Sequence, residues 1–358
     1  MWQHFFNFFQ KDLMQKREEY LINAKEFIIS VFVTGRTVKH TLRWEWRRRI
    51  LRGRILFFAY NEEKKGKDRL SADSYKIAVF GGDKRQVYLA HILAKRGYEV
   101  SVYGLCESVY GERIRQAASL REALEGMTAV AGPVPFIRSG NIAGTYEALD
   151  LTVETLFDGM RTAAVLFAGS IPGDIRREAE EQGIRVYDMM KDELVAARNA
   201  VATAEGAGAE AIERSPIHLT KSRCLVLGYG RCGRALTRLL KSFLCRVLVA
   251  EKDKTRAAEA YVLADGVVSE DELTNVAEDV DFIFNTVPEL ILTEERLRHV
   301  GKNTWILDIA SAPGGVDYKA AEALSVNAVL LPGLPGRYAP ASSAGILADC
   351  IEHHIGLC

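Results

Sequence analysis

The chain has 358 residues, 48% hydrophobic and 26% charged, with a formal net charge of zero. That length holds two domains with separate cores, and that balance excludes a disordered chain. Charge is unevenly spread: residues 1–72 hold 16 Lys and Arg against 8 Asp and Glu, so the remainder is net acidic, which argues against nucleic acid as the main partner.

Residues 1–72 read as an N-terminal extension, rich in aromatics such as Trp2, Phe5, Phe6, Trp44 and Trp46 and carrying the run Arg47-Arg48-Arg49. Two readings stay open for it. One is a basic amphipathic arm for an anionic membrane surface or a partner. The other is a disordered or helical extension without chemistry of its own. Its apolar run from Phe27 to Val33 is too short to cross a bilayer. Mixed charges precede that run, unlike a signal peptide, so the expected location is the cytoplasm. The stretch NEEKKGKDRLSAD then serves as a polar linker.

From Lys76 onward, short β-branched runs alternate with helical patterns. Strands are expected at Ile77–Phe80, Glu99–Tyr103, Ala129–Ala131, Ala164–Phe167 and Arg185–Tyr187. Helices are expected at Arg85–Lys95, Leu151–Met160 and Asp174–Gln182. Asp192 to Arg214 reads as one long helix. A second series follows, with strands at Leu225–Leu227, Val247–Ala250, Phe282–Asn285, Trp305–Asp308 and Ala328–Leu330, and a last helix at Ser342–His354. This order predicts an α/β protein of two Rossmann-like, doubly wound parallel-sheet domains with a cleft between them. The expected division is a substrate domain at 76–205, a dinucleotide domain at 206–340 and a C-terminal helix at 341–358 packing back on the first domain.

In the second series, a strand runs into Gly228-Tyr229-Gly230-Arg231-Cys232-Gly233 and a helix follows, which is the context GxGxxG needs. Gly228 allows the tight turn, Gly230 lets a pyrophosphate approach and Gly233 lets helix and strand pack. Arg231 and Cys232 open the helix whose N–H groups would face the phosphates. Glu251 ends the next strand, where an acid accepts the adenosine ribose hydroxyls. Glu251 favours NAD, whereas Lys252, Lys254 and Arg256 could hold the extra phosphate of NADP. The cofactor is therefore NADP or NAD. In the first series the turn Gly81-Gly82-Asp83-Lys84-Arg85-Gln86 places a carboxylate where an anion would sit. It is expected not to bind nucleotide, and Asp83 is expected to cap the helix. Asn285, Thr286, Val287 and Pro288 follow one strand of the second series, and Asp308 to Gly315, with Ala310, follow the next. The Pro- and Gly-rich run from Pro332 to Gly345 reads as a rigid loop. These stretches lie at C-terminal strand ends, where ligands bind in such folds.

The ordered set GGDKRQ, RNAVATAEGA, GYGRCG, NTVP, LDIASAPGG and PGLPGRYAP resembles the A subunit of bacterial dipicolinate synthases, over roughly Lys76 to Ile351. The resemblance implies an enzyme of sporulating bacteria that oxidises dihydrodipicolinate to dipicolinate with NAD(P). It implies partnership with a flavoprotein-like B subunit, and the mother-cell cytoplasm as location. A homo-oligomer is also expected. The substrate is a flat dianion, so guanidinium groups are sought, and Arg85 and Arg337 are the candidates. On the resemblance, Asn199, Thr203 and Glu205 of the long helix line the cleft, Glu205 near the edge of the face; the other reading is polar surface on an interdomain helix. Glu205 and Asp83 are the candidates for the base, which geometry must decide. His91, His218, His299 and His353 lack a patterned acid or serine and are read as structural. The six cysteines form no CxxC pair and no metal-ligand spacing, so reduced thiols and no metal are expected. Two other classes stay open: another two-domain NAD(P) enzyme or NAD-using hydrolase acting on an amino-acid-derived acid, and a non-enzymatic dinucleotide sensor.

Overall fold

The computed structural model describes residues 75–144, 150–160 and 164–356. The extension of residues 1–72, and both readings of it, lie outside them. The first lobe runs β1 (Lys76–Phe80), α1 (Lys84–Lys95), β2 (Glu99–Tyr103), β3 (Ile114–Gln116), α2 (Leu120–Leu124) and β4 (Ala129–Ala131). A small hairpin follows, β5 (Ile137–Arg138) with β6 (Asn141–Ile142), then α3 (Val153–Gly159), β7 (Val165–Ala168), α4 (Gly173–Glu181) and β8 (Arg185–Asp188). The six long-range strands pair in parallel in the order β3-β2-β1-β4-β7-β8. Both faces are covered, which is why β1 is apolar from Ile77 to Phe80 rather than alternating. Ile77 and Val79 pack into one core, and Ala78 and Phe80 into the opposite one.

The second lobe repeats that plan. After the long helix α5 (Glu193–Arg214) come β9 (Arg223–Leu227), α6 (Arg231–Ser242), β10 (Arg246–Ala250), α7 (Lys254–Ala260), β11 (Gly266–Val268) and α8 (Leu273–Ala277). Then follow β12 (Phe282–Asn285), α9 (Glu294–Leu297), β13 (Trp305–Asp308), α10 (Tyr318–Ala323) and β14 (Asn327–Leu330). The strand order is β11-β10-β9-β12-β13-β14. The order reverses between β9 and β12, so a crevice opens beyond their carboxyl ends. Register pairs Leu227 with Asn285, which sets the glycine turn after β9 beside the NTVP stretch after β12.

Asp192 caps α5, its carboxylate accepting the Leu194 and Val195 N–H groups at 2.8 and 3.0 Å. The helix continues without a break through residue 205, where the sequence reading placed a domain boundary. Small residues let neighbours close on it: a Cβ on Gly206 would meet Tyr338 at 2.9 Å and Leu334 at 3.0 Å.

The run from Pro332 to Gly345 is not a loop. It folds into α11 (Leu334–Tyr338) and the start of α12 (Pro340–Ile355). Each helix has proline in its first turn, where a missing N–H costs nothing and the fixed φ suits the helix. α12 returns to the first lobe and packs on α1 and α5. Arg96 of the first lobe bonds Asp349 at 2.8 Å and Glu352 at 2.7 Å, and Arg198 bonds Asp349 at 2.8 Å. Among the described residues no helix is long and apolar enough to cross a membrane.

Candidate dinucleotide and substrate site

The turn after β9 is open. Gly228 has φ +86°, and a Cβ there would lie 2.6 Å from Thr286 Oγ1 and 2.8 Å from Val287 Cγ2. A Cβ on Gly233 would collide with the Gly228 carbonyl, so this glycine sets how closely α6 approaches the turn. Gly230 is the N-cap of α6 and offers no side chain to its free N–H groups, and nothing stands within 4 Å of where its Cβ would be. A helix N-terminus left uncapped in this way is an anion site. Glu251 follows β10 and is fixed: Oε2 accepts the Tyr229 N–H at 2.7 Å and Oε1 the Asp253 N–H at 2.9 Å. Gly228, Gly230, Glu251, Lys252, Thr286, Val287 and Pro288 line one recess of about 280 Å³, with Arg256 at its exposed edge.

Around this recess the other expected residues fall in different places. Arg231, in the first turn of α6, pairs with Glu193 at 3.3 Å. Cys232 is half-buried, and desolvation pushes its thiol up. Asn285 and Ala310 are not among the residues lining this recess. Asn285 is fully buried, its amide donating to Asp308 Oδ1 at 2.9 Å and to the Val287 carbonyl at 3.0 Å. The Ala310 N–H donates to the same carboxylate at 3.1 Å, joined by the Gly315 N–H and the Tyr318 hydroxyl, each at 2.8 Å. Asp308 is thus a buried hub that shapes the loops after β12 and β13. Sequence reasoning passed over it because its partners lie up to 23 residues away.

The turn after β1 is closed. Its Gly81 and Gly82 N–H groups donate to the carbonyls of Tyr103 at 3.0 Å and Ala143 at 2.8 Å. Asp83 takes the Arg85 N–H at 3.0 Å as helix cap. The fully buried Gln86 side chain covers Gly82, whose Cβ would lie 2.5 Å from Gln86 Oε1. Both glycine N–H groups are thus spent within the fold, and a carboxylate stands at the helix start.

Both guanidinium candidates are engaged. The Arg85 side chain is only 6% exposed and grips Asp83, Nη2 to Oδ2 at 2.7 Å and Nε to Oδ1 at 2.9 Å. It also donates to the Val134 carbonyl. Burial alone would push the Asp83 carboxyl up, but the hydrogen bonds and charge of Arg85 outweigh it and hold it below the usual range. A carboxylate so stabilised is a poor general base. Arg337 bonds the buried Glu210 at 2.5 Å, beside the Tyr338 hydroxyl at 2.7 Å. Both arginines are thus held by carboxylates in this structure. Between them, Gly336 of α11 abuts the first-lobe pair, since a Cβ there would lie 2.5 Å from Asp83 Oδ2 and 2.9 Å from Arg85 Nε. The two motifs GGDKRQ and PGLPGRY are thus the two sides of one contact between the lobes.

On α5, Asn199 is buried and its Oδ1 has no hydrogen-bond partner. Thr203, one turn on, donates to the Asn199 carbonyl at 3.1 Å and neighbours the Cys232 thiol. Glu205 is exposed and lies about 200° round the helix from Thr203. It does not share their face. A cation that sequence reasoning missed is Arg138. It sits in the β5–β6 hairpin, whose turn residues Ser139 and Gly140 have φ of +52° and +86°. It is exposed, close enough to help depress Asp83, and forms no ion pair with another described residue.

Comparison with known proteins divides the chain at the same place. Residues 76–190 match the N-terminal domain of the dipicolinate synthase A subunit. Residues 190–328 match the NAD binding domain of D-isomer specific 2-hydroxyacid dehydrogenases. The chain is 27% identical over 280 residues to the dipicolinate synthase A subunit of Bacillus subtilis, covering 77% of this chain and 94% of that protein. A crystal structure of the same Bacillus subtilis polypeptide superposes with a TM-score of 0.70 at 26% identity, covering 79% of this chain and 96% of the other. Its counterpart from Bacillus halodurans superposes with a TM-score of 0.73 at 24% identity, covering 78% and 97%. These matches bear out the resemblance drawn from the ordered motifs.

Proposed function

We propose that this relative of the dipicolinate synthase A subunit is an NAD-dependent oxidoreductase that converts dihydrodipicolinate to dipicolinate. One observation carries the division of labour: of two glycine turns at matching places, only that after β9 leaves its helix N-terminus free. The second lobe then holds the dinucleotide, with the first-turn N–H groups of α6 on the diphosphate and Glu251 on the adenosine ribose. Glu251 is tied by two backbone N–H groups, so it would be in place to accept from a 2′-hydroxyl and would repel a 2′-phosphate. This supports NAD over NADP despite the nearby Lys252 and Arg256. Bound NAD supplies the hydride acceptor.

The first lobe then presents the substrate. Arg138 receives one of its carboxylates, and Asn199 offers its unpartnered amide oxygen to a donor on the substrate or the nicotinamide. Aromatisation of the ring supplies driving force, so the protein's work is positioning. By the same relationship we propose partnership with a B subunit, homo-oligomeric assembly and action in the mother-cell cytoplasm.

The test supplies the full chain and its B partner with dihydrodipicolinate and either cofactor. NADH should appear with kcat/KM at least about tenfold above that for NADPH, a gap of about 1.4 kcal/mol. Glu251→Ser should narrow that gap. Equal use of NADP would overturn the cofactor assignment, and no reduction of either would overturn the activity.

A further inference from the structure

The end of α12 meets the start of α5 at a cluster that the dinucleotide site does not use. Cys350 and His354 stand four residues apart on α12, and so on one face of it. Asp192, from the turn before α5, faces them. One ligand atom from each of the three lies within 4.8 Å of the others. The pairing of Cys350 with His354 is visible in the sequence, but their third partner is 158 residues upstream, so spacing could not reveal the set.

His354 Nδ1 lies 2.8 Å from the Cys350 carbonyl and 3.9 Å from Cys350 Sγ, and donation to that carbonyl leaves the lone pair on Nε2, the nitrogen a metal would take. Donation of the second ring N–H to a backbone carbonyl is the usual arrangement of a metal-bound imidazole. Tyr187 packs its ring on His354 with centroids 3.9 Å apart and donates its hydroxyl to Asp192 Oδ2 at 2.9 Å. Asp192 Oδ1 is spent on the α5 cap, and Tyr187 takes one Oδ2 position. An ionised carboxylate has about four acceptor positions, so one remains on Oδ2. Cys350 is buried in the core of the first lobe, which shields it from solvent.

We propose that Asp192, Cys350 and His354 bind a Zn²⁺ ion that ties the last helix of the chain to the junction of the first lobe with α5. A thiolate, an imidazole and a carboxylate together suit zinc, with water completing the tetrahedron. Tetrahedral zinc holds such ligand atoms roughly 3.3–3.6 Å apart, so the three must close by about an ångström. Binding releases the Cys350 thiol proton to solvent and forms the Zn–S bond in its place.

The experiment titrates the full chain, freed of metal by chelator, with Zn²⁺ and separately with Co²⁺. The expected result is one tight equivalent per chain, a Co²⁺–thiolate charge-transfer band in the near ultraviolet, and a higher melting temperature with Zn²⁺. Cys350→Ser and the half-exposed His354→Gln should each weaken binding by at least about tenfold. Cys106→Ser and Cys358→Ser should leave it unchanged. Absence of a thiolate band in the wild-type chain overturns the proposal. So does a band that survives Cys350→Ser or is lost in Cys358→Ser.

Discussion

Gly336 abuts the Asp83–Arg85 pair of the first lobe, and Gly336→Ala tests whether that contact sets the working geometry. The added methyl would stand 2.5 Å from Asp83 Oδ2, 2.9 Å from Arg85 Nε and 3.2 Å from Arg85 Cζ. Ordinary contacts begin near 3.4 Å. The obstructing atoms are not the loose end of a side chain. They form an ion pair tied at 2.7–3.2 Å and further held by the Val134 carbonyl. Either that pair breaks or α11 retreats by part of an ångström. Overpacking of this kind costs about 1–3 kcal/mol. For a body of this size that lowers the melting temperature by roughly 2–5 °C. A displacement approaching 1 Å between substrate and cofactor lobes reduces kcat/KM by about 100-fold. NAD affinity, measured by fluorescence titration, should hold, because the turn at Gly228 is untouched. Gly345→Ala is the control, since its Cβ meets nothing within 4 Å. If Gly336→Ala melts and turns over like the wild type, the contact does not set the geometry and the reasoning fails.

Two further outcomes are expected. Asn199→Leu removes a buried acceptor without a partner, so the ligand-free chain should gain about 1–3 kcal/mol in chemical denaturation while kcat/KM falls at least tenfold; a loss of stability would mean the amide is already satisfied. Asp83 has a folded-state pKa below its ordinary value of 3.8, so its contribution is complete above that value and is lost as pH falls through the folded one. The stability gap between wild type and Asp83→Asn, followed by urea titration, should be constant near neutrality and close below about pH 4; a gap that widens in acid would reverse the sign of this argument.

The strands and the open glycine turn were legible because both are local. Four or five apolar residues before a turn define a buried parallel strand, and GYGRCG carries its geometry in three glycines. β3 and β11 escaped because each has three residues and no continuous apolar run. The partners of the candidate substrate residues were not legible. Arg337 finds Glu210 127 positions away, and nothing near either one signals the pairing. Arg85 pairs with Asp83 only two residues off, but the burial that locks the pair together cannot be read from spacing. The PGLPG stretch misled in another way: its prolines begin helices, whereas proline density alone suggests a loop.

The path of the chain has a mechanical consequence. It enters the nucleotide lobe along α5 and leaves it through α12, and these helices lie side by side, joined by Arg198 and Asp349. A body hung from two neighbouring points swings like a door on paired hinges and resists swivelling. Any opening between the lobes would follow one arc, along which Gly336 would lift from Asp83 and return to the same seat.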